Sequence, residues 1–217
     1  MEEKQKSIYI MISQTHTNFA KVVRRFGNTR YNHAAISFDA EMKELYAFAR
    51  PQHNAVLNAH LVNENLYRYT LGKAECVNVV IFKIDISKEE YDRIKALVYN
   101  IKNDKDYIYN LLSVLSFPVF RGFSTYKAFS CIEFVMYILK EININIPKKL
   151  SKYKPDDLLE LLKEYKWYEG DLLKISYDNT NDETYFAPLT MEIIKNSAIT
   201  MMLLAKRLVF NRNWNYK

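Results

Sequence analysis

The stretch FSCIEFV, residues 129–135, carries the sequence signals of a helix start beside a cysteine. Ser130 can cap a helix, and Glu133, three residues later, completes an S-x-x-E capping box. Cys131 is therefore expected to be the first residue of this helix. A thiolate there faces unpaired backbone N–H groups and the positive end of the helix dipole, both of which favour its charged form. The pattern predicts a cysteine nucleophile, although buried cysteines also occur as inert packing.

The composition favours one globular domain. The chain has 217 residues, of which 49% are hydrophobic and 14% aromatic, enough for a sizeable core. It has only 4 glycines and 5 prolines, and no linker divides it. We therefore expect a single domain over residues 1–217, in which residues 171–217 form a C-terminal extension with an amphipathic helix.

The formal charge of +6 permits contact with anionic surfaces. Lysine is spread along the chain and no nucleic-acid-binding motif accompanies it, so we expect no nucleic-acid partner. Basic residues do collect at the end of a helix predicted from about residue 190 to 209; they are Lys206, Arg207, Arg212 and Lys217. This helix either packs on the core or lies on an anionic membrane.

The two cysteines, Cys76 and Cys131, are too few for a disulfide framework or a four-ligand zinc site, which favours a reducing compartment. The charged residues 1–6 do not resemble a secretory leader, and no segment has the roughly 18 uncharged apolar residues of a membrane span. We expect a soluble, cytoplasmic protein. No phosphate-binding loop or dinucleotide motif is present, so neither a metal nor an organic cofactor is expected.

Hydrophobic periodicity predicts both strands and helices. Strands are expected over residues 7–13, 31–38, 44–49 and 76–86, with a short one around residues 58–64. Helices are expected over residues 18–26, 87–101, 131–139 and 155–162, together with one that starts near residue 107 and ends before Pro118. We expect an α+β fold in which a small, mostly antiparallel sheet packs against helices.

A thiol nucleophile needs a base within hydrogen-bonding reach and a third group that orients the base. The chain has 4 histidines, His16, His33, His53 and His60. His33 is favoured because it alone lies in a clear strand, where Ala35 and Ser37 on the same face leave room for a helix end. The alternative is that His33 is an ordinary core histidine.

Two motifs resemble the circularly permuted papain-like cysteine hydrolases related to the NlpC peptidases, of which lecithin retinol acyltransferase is a distant member. The first is YNHAAISFD, residues 31–39, followed by LYAFAR, residues 45–50. The second is SCIEFV, residues 130–135. In ordinary papain-like enzymes the helix cysteine precedes the strand histidine, whereas the permuted group has the reverse order, as in this chain. The similarity covers roughly residues 7–170.

The resemblance implies a permuted papain-like (NlpC-like) fold with Cys131 as nucleophile and His33 as its base. The family's third polar residue normally lies on the strand paired with the histidine strand. The matching position here is Tyr46, with Glu44 two residues earlier on the same face, and either could orient the imidazole. An oxyanion hole would use the Cys131 backbone N–H and a second donor from the turn at residues 14–17.

The reaction implied by the resemblance is attack of the Cys131 thiolate on an amide, ester or thioester, followed by hydrolysis or acyl transfer from an acyl-enzyme intermediate. The expected substrate is a peptide, an amide or an acyl lipid, so a thiol protease, an amidase and a lipid acyl hydrolase all remain open. Residues 52–72 and 107–128 are expected to set the specificity. The alternative is a non-catalytic lipid- or peptide-binding module that contacts anionic membranes through the basic C-terminal helix.

Overall fold

The computed structural model describes residues 5–55, 57–73, 76–120, 122–176 and 182–210. The described strands are β1 (Lys6–Ser13), β2 (His33–Ser37), β3 (Leu45–Ala49), β4 (His60–Glu64), β5 (Asn78–Ile86), β6 (Ile108–Tyr109), β7 (Ala128–Phe129) and β8 (Lys166–Asp171). Six of them form one antiparallel sheet in the order β4-β3-β2-β1-β5-β8. The remaining two, β6 and β7, form a short parallel pair.

The described helices are α1 (Asn18–Gly27), α2 (Leu66–Thr70), α3 (Lys88–Asn103), α4 (Leu111–Phe120), α5 (Cys131–Glu141), α6 (Asp157–Leu161) and α7 (Met191–Phe210). Short 3-10 turns cover Leu150–Lys152, Lys163–Tyr165, Leu172–Lys174 and Glu183–Phe186. The prediction of an α+β fold built on a mostly antiparallel sheet is confirmed.

Both faces of the central strand β1 are buried, which explains its continuous apolar sequence. Ile8, Ile10 and Ile12 point to one face, where they join the main core. Tyr9 and Met11 point to the other face and pack in a second, smaller core. The sheet therefore separates two apolar layers.

The main core lies between the sheet and helices α3 and α5. It contains fully buried side chains from α3 (Ile94, Val98), α5 (Phe134, Val135, Ile138) and the sheet (Ile36, Phe82). Helix α5 packs directly on β2 and β3. This contact brings the start of α5 to the strand that carries His33.

The predicted capping box starts α5. The Ser130 hydroxyl accepts a hydrogen bond from the Glu133 N–H at 3.3 Å, and the Glu133 carboxylate accepts one from the Ser130 N–H at 2.8 Å. These bonds satisfy two of the backbone groups that a helix start leaves unpaired. Cys131 is the first helical residue, as the sequence predicts.

The entry to β2 is fixed by one carboxylate from a distant part of the chain. Asp156 accepts hydrogen bonds from the Thr29 hydroxyl at 2.9 Å, the Arg30 N–H at 2.6 Å and the Tyr31 N–H at 2.8 Å. Because His33 follows two residues later, this tether holds the start of its strand against the segment that leads into α6.

The sequence patterns did not predict β8 or α2, and they differ from the structure at two further places. Helix α4 runs from Leu111 through Pro118 to Phe120, whereas the sequence predicts a helix that starts near residue 107 and ends before the proline. The proline lies close to the helix end, where the loss of one backbone donor disturbs only the last turn. The pair β6 and β7 was not predicted, because strands of two residues are too short to show a periodicity.

The C-terminal helix α7 is present at the predicted position and packs beside β6. Leu204 is fully buried, and Arg207 donates hydrogen bonds to the backbone carbonyls of Asp106 and Tyr126 at 2.8 and 3.1 Å. Arg212 and Lys217, predicted to extend its basic end, lie outside the described residues. No helix in the described ranges is long and apolar enough to cross a membrane.

We expect the packing of α5 on the sheet to contribute strongly to stability. Phe134 is fully buried, so Phe134→Ala should lower the free energy of unfolding by about 3–5 kcal/mol through lost burial and a residual cavity. Phe210 on α7 is 75% exposed, and Phe210→Ala should change stability by less than about 0.5 kcal/mol. Urea unfolding followed by circular dichroism measures both. Similar effects of the two substitutions would contradict this packing.

Candidate active site

The structure brings together the two residues that the sequence predicts as nucleophile and base. Cys131 begins α5, and His33 is the first residue of β2, against which α5 packs. The Cys131 thiol lies close enough to the His33 imidazole to help raise its pKa, and both side chains line the same cavity. Residues 98 positions apart in the sequence, 131 − 33, thus lie in the same site.

A buried carboxylate holds the other side of the imidazole. His33 Nε2 donates a hydrogen bond to Glu64 Oε2 at 2.7 Å, and the Tyr69 hydroxyl donates to the same oxygen at 2.6 Å. The side chains of His33 and Glu64 are only 13% and 8% exposed. With Nε2 bound to the carboxylate, Nδ1 is the ring nitrogen that remains for the thiol.

Electrostatics favour the charged forms of both His33 and Glu64. Burial lowers the pKa of His33, but the charge of Glu64 and the hydrogen bonds to Cys131 and Glu64 outweigh it and raise this pKa to about 10. Burial raises the pKa of Glu64, but the charge of His33 and the hydrogen bonds from His33 and Tyr69 outweigh it and lower this pKa. The site therefore holds an imidazolium–carboxylate pair at neutral pH.

The two shifts define the pH range in which the pair stabilises the fold. The raised pKa of His33 adds stability that is complete below its ordinary value of 6.5 and is lost as the pH rises towards 10. The lowered pKa of Glu64 adds stability that is complete above its ordinary value of 4.5 and is lost as the pH falls. Between pH 4.5 and pH 6.5, both pKa shifts therefore contribute their full stabilisation of the fold.

Tyr46 and Glu44, the two residues predicted to orient the imidazole, do not reach it. Tyr46 is buried in the main core, where its ring packs against Phe38 and Tyr99 with centroids 6.0 and 5.9 Å apart. Glu44 Oε2 instead accepts a hydrogen bond from Lys95 Nζ on α3 at 2.5 Å. The structure therefore corrects this assignment, because the position beside His33 is occupied by Glu64.

The correction has a simple topological reason. The family pattern places the orienting residue on the strand paired with the histidine strand, which is β3, whereas Glu64 ends β4, one strand further out. Its carboxylate nevertheless contacts the His33 imidazole. The sequence contains one signal for it, a carboxylate that closes the short strand predicted at residues 58–64, directly before the helix-capping Asn65.

The remaining histidines make their contacts elsewhere. His16 Nε2 lies 2.8 Å from the Cys76 carbonyl oxygen. The ring of His53 packs against Tyr185 with centroids 5.6 Å apart, and His60 is exposed on β4. Only His33 of the four contacts the thiol.

A second carboxylate is buried beneath the start of α5. Glu133 is fully buried, and besides the Ser130 N–H it accepts hydrogen bonds from Asn110 Nδ2 at 3.2 and 3.3 Å. Burial raises the pKa of Glu133 to about 7, although the bonds from Ser130 and Asn110 oppose this shift. Asn110 also donates to the Phe123 carbonyl at 2.9 Å, so this cluster ties the start of α4 to the start of α5.

The thiol and imidazole open into a cavity of about 480 Å³ between α1 and α4. Its walls are largely apolar and include Phe19, Val23 and Phe26 from α1 and Val114, Leu115 and Phe117 from α4. Residues from both segments predicted to set specificity, 52–72 and 107–128, line it. The contribution of α1 was not predicted, because its sequence is typical of a helix that packs on a core.

A segment from the far end of the chain completes the cavity wall. Tyr185 lines the cavity, and its carbonyl accepts a hydrogen bond from the His53 N–H at 2.7 Å. Arg68 packs its guanidinium over the Tyr185 ring at 5.2 Å and forms an ion pair with Asp182 at 2.7 Å. This largely buried ion pair fixes the segment beside α2.

The predicted oxyanion hole is compatible with the observed helix start. The first N–H groups of a helix, here those of Cys131 and Ile132, have no partner within the helix. Thr15 and Thr17 from the turn at residues 14–17 lie on the cavity wall. The Thr15 N–H is engaged by Asn32 Oδ1 at 3.0 Å, so the second oxyanion donor stays a prediction.

Comparisons of the chain with protein-family models, with curated proteins and with solved structures found no match. In the ranges that the structure describes, no group of three or more His, Cys, Asp or Glu residues is arranged to hold a metal ion. The geometry around Cys131 is therefore the basis for the function proposed below.

We expect Glu64 to set the charge state of His33. Removing the carboxylate charge in Glu64→Gln should lower the pKa of His33 by about one to three pH units, the usual effect of one close opposite charge. Titration of the imidazole followed by NMR measures this change. Glu44→Gln and Tyr46→Phe are the matched controls, and neither should alter it. A shift in either control that equals the shift in Glu64→Gln would restore the orienting role predicted from sequence.

Burial of Glu133 should make stability depend on pH. Because its pKa is raised from 4.5 to about 7, the native state holds this proton more tightly than the unfolded state does. Stability should therefore fall by up to about 3 kcal/mol as the pH rises from 5 to 8, and Glu133→Gln should remove this component. Urea unfolding at both pH values tests it. An equal change in Glu90→Gln, the same capping-box position in α3, would assign the effect to capping instead of burial.

Proposed function

We propose that the chain is a cysteine-dependent acyl hydrolase or acyltransferase with a permuted papain-like fold. The observation that carries the proposal is that Cys131, His33 and Glu64 lie together on the wall of an apolar cavity, where Glu64 holds the imidazole. Burying a charged pair costs free energy, and such pairs cluster at functional sites. A thiol beside an oriented imidazolium is the arrangement that activates a cysteine nucleophile.

In the proposed first step, the Cys131 thiolate attacks the carbonyl carbon of an ester, thioester or amide. The carbonyl electron pair moves to the oxygen, which lies near the unpaired N–H groups at the start of α5. When the carbonyl re-forms, the bond to the leaving group breaks and His33 gives that group its proton. The products of this step are an acyl thioester on Cys131 and a neutral His33.

In the second step, His33 takes a proton from water or from an acceptor hydroxyl or amine, which attacks the thioester carbonyl. The carbon–sulfur bond breaks and Cys131 leaves as a thiolate beside the re-formed imidazolium. Glu64 stabilises this imidazolium through its charge and holds the ring in place. Tyr69 acts only through Glu64, so it is a positioning residue.

The cavity favours an apolar acyl group as the part of the substrate that is transferred. Its volume of about 480 Å³ lies within the range of about 300–1,000 Å³ that is typical of small-molecule sites. Four aromatic or branched side chains of α1 and three apolar side chains of α4 line it; they are Phe19, Val22, Val23, Phe26, Val114, Leu115 and Phe117. An acyl lipid fits these walls better than a peptide, whose backbone groups would lack partners there.

The same cavity supports a second candidate, a binding module that holds an acyl chain without reacting with it. This candidate uses the apolar walls but gives no role to the charged pair beside the thiol. Thiol reactivity separates it from the enzyme.

We expect Cys131 to be the reactive thiol. At pH 6, iodoacetamide should label Cys131 at least tenfold faster than Cys76, an exposed thiol whose pKa is raised by partial burial and by the charge of Asp171. His33→Ala should slow the labelling of Cys131 to the rate of Cys76. An activated medium-chain acyl ester should leave an acyl group on Cys131 that mass spectrometry detects, and Cys131→Ala should abolish it.

The control is Cys76→Ser, which should keep the labelling rate and the acyl group at Cys131. Equal, slow labelling of both thiols with no acyl-enzyme would exclude the proposed enzyme. Retention of the acyl chain by non-covalent binding under those conditions would establish the binding module.

A further inference from the structure

Helix α1 has an apolar stripe that the protein core does not cover. Phe19, Val22, Val23 and Phe26 follow helical spacing, but only Ala20 of this helix is buried. Val22 is 47% exposed and Phe26 is 64% exposed, although both also line the cavity. The stripe therefore runs from the cavity wall out to the surface.

Helix α4 borders the same opening and has no charge along its length. Its ten residues, LLSVLSFPVF, contain no acidic or basic side chain. It contacts α1, and Leu115 is 54% exposed while it lines the cavity. The mouth of the cavity is thus bordered on two sides by exposed apolar side chains, a pattern that marks interaction surfaces.

Basic residues accompany this apolar border. Helix α1 carries Lys21, Arg24 and Arg25 and has no acidic residue between Asn18 and Gly27. Lys154 lines the cavity as well, and its ammonium group donates to the Gly27 carbonyl at 3.1 Å. Apolar side chains flanked by lysine and arginine are typical of helices that lie at the surface of anionic membranes.

We propose that the exposed part of this border, which we call the docking rim, binds the surface of an anionic lipid bilayer. The rim consists of Lys21, Val22, Arg25 and Phe26 on α1 and of Leu115 on α4. Its positive charge complements anionic headgroups, and its apolar tips match the headgroup–acyl boundary. The cavity continues from the rim to Cys131, so an acyl chain can enter without crossing water. That route rests on the proposed function, whereas docking itself does not.

The C-terminal helix α7, which the sequence suggested as the membrane contact, is a poorer fit. It has Glu192 in its first turn, and it does not border the cavity. It does expose seven large apolar side chains, which are Met191, Ile194, Ile199, Met202, Leu203, Val209 and Phe210. Arg207, one of its basic residues, is occupied by backbone carbonyls. The rim is favoured over α7 because it borders the cavity that leads to Cys131.

Vesicle co-sedimentation tests the proposal. The probes are phosphatidylcholine vesicles with and without 30% phosphatidylserine, at low and high salt. The wild-type chain should bind the anionic vesicles and lose binding as salt rises. Phe26→Ser combined with Leu115→Ser should weaken binding at least tenfold, and Lys21→Gln combined with Arg25→Gln should weaken it roughly tenfold on anionic vesicles.

Met202→Ser is the matched control, since it removes an equally exposed apolar side chain from α7. It should keep full binding, and all variants should keep the wild-type unfolding midpoint because the altered side chains are exposed. Three results would overturn the proposal: no binding of the wild-type chain at low salt, full binding by the Phe26/Leu115 variant, or an equal loss in Met202→Ser. The chain could instead self-associate without binding vesicles. If the rim substitutions abolish that self-association, the rim binds a second copy of the chain.

The same assay with Cys131→Ala separates docking from catalysis. This variant should bind vesicles as the wild-type chain does, because Cys131 lies at the inner end of the cavity. Vesicle binding without an acyl-enzyme would leave docking intact and remove the proposed enzyme. An acyl-enzyme without vesicle binding would remove docking and leave the enzyme.

Discussion

The buried charge pair between His33 and Glu64 is the interaction on which the site depends. An isolated charge in such surroundings is unstable, and breaking a buried pair typically costs about 3–5 kcal/mol. The pair joins β2 to β4, two strands that are separated by β3 in the sheet, so it forms only when this part of the sheet is assembled. Tyr69, on the helix that follows β4, completes it. The position of the His33 imidazole is thereby linked to the order of the strands in this half of the sheet.

The chain uses buried glutamates in two opposite ways. Glu64 lies beside a cation and keeps its charge, whereas the partners of Glu133 are neutral, and its pKa is raised by burial. The difference follows from the neighbours, since both side chains are almost inaccessible to solvent. One carboxylate holds the His33 imidazole, and the other joins the start of α5 to Asn110 and can change charge near neutral pH.

Local chemistry made part of this structure predictable from sequence. The capping box at Ser130 and the strand pattern around His33 could be predicted because each depends only on residues that are close together in the sequence. The carboxylate beside His33 was not predictable from sequence. Alternation shows which residues share a face of a strand, but it does not show which strands are neighbours or which of their residues lie opposite each other. For the same reason, helical spacing predicted α1 but could not show that its apolar stripe lines a cavity instead of the core.

The position of Tyr185 on the cavity wall has a consequence for how the protein is made. Synthesis proceeds from the N-terminus, so β2 and β4 leave the ribosome well before α5, and the segment held by Arg68 and Asp182 leaves later still. His33 can find Glu64 before the thiol has been translated. Cys131 then meets an imidazole that is already held by Glu64, and the segment that carries Tyr185 joins the cavity wall last.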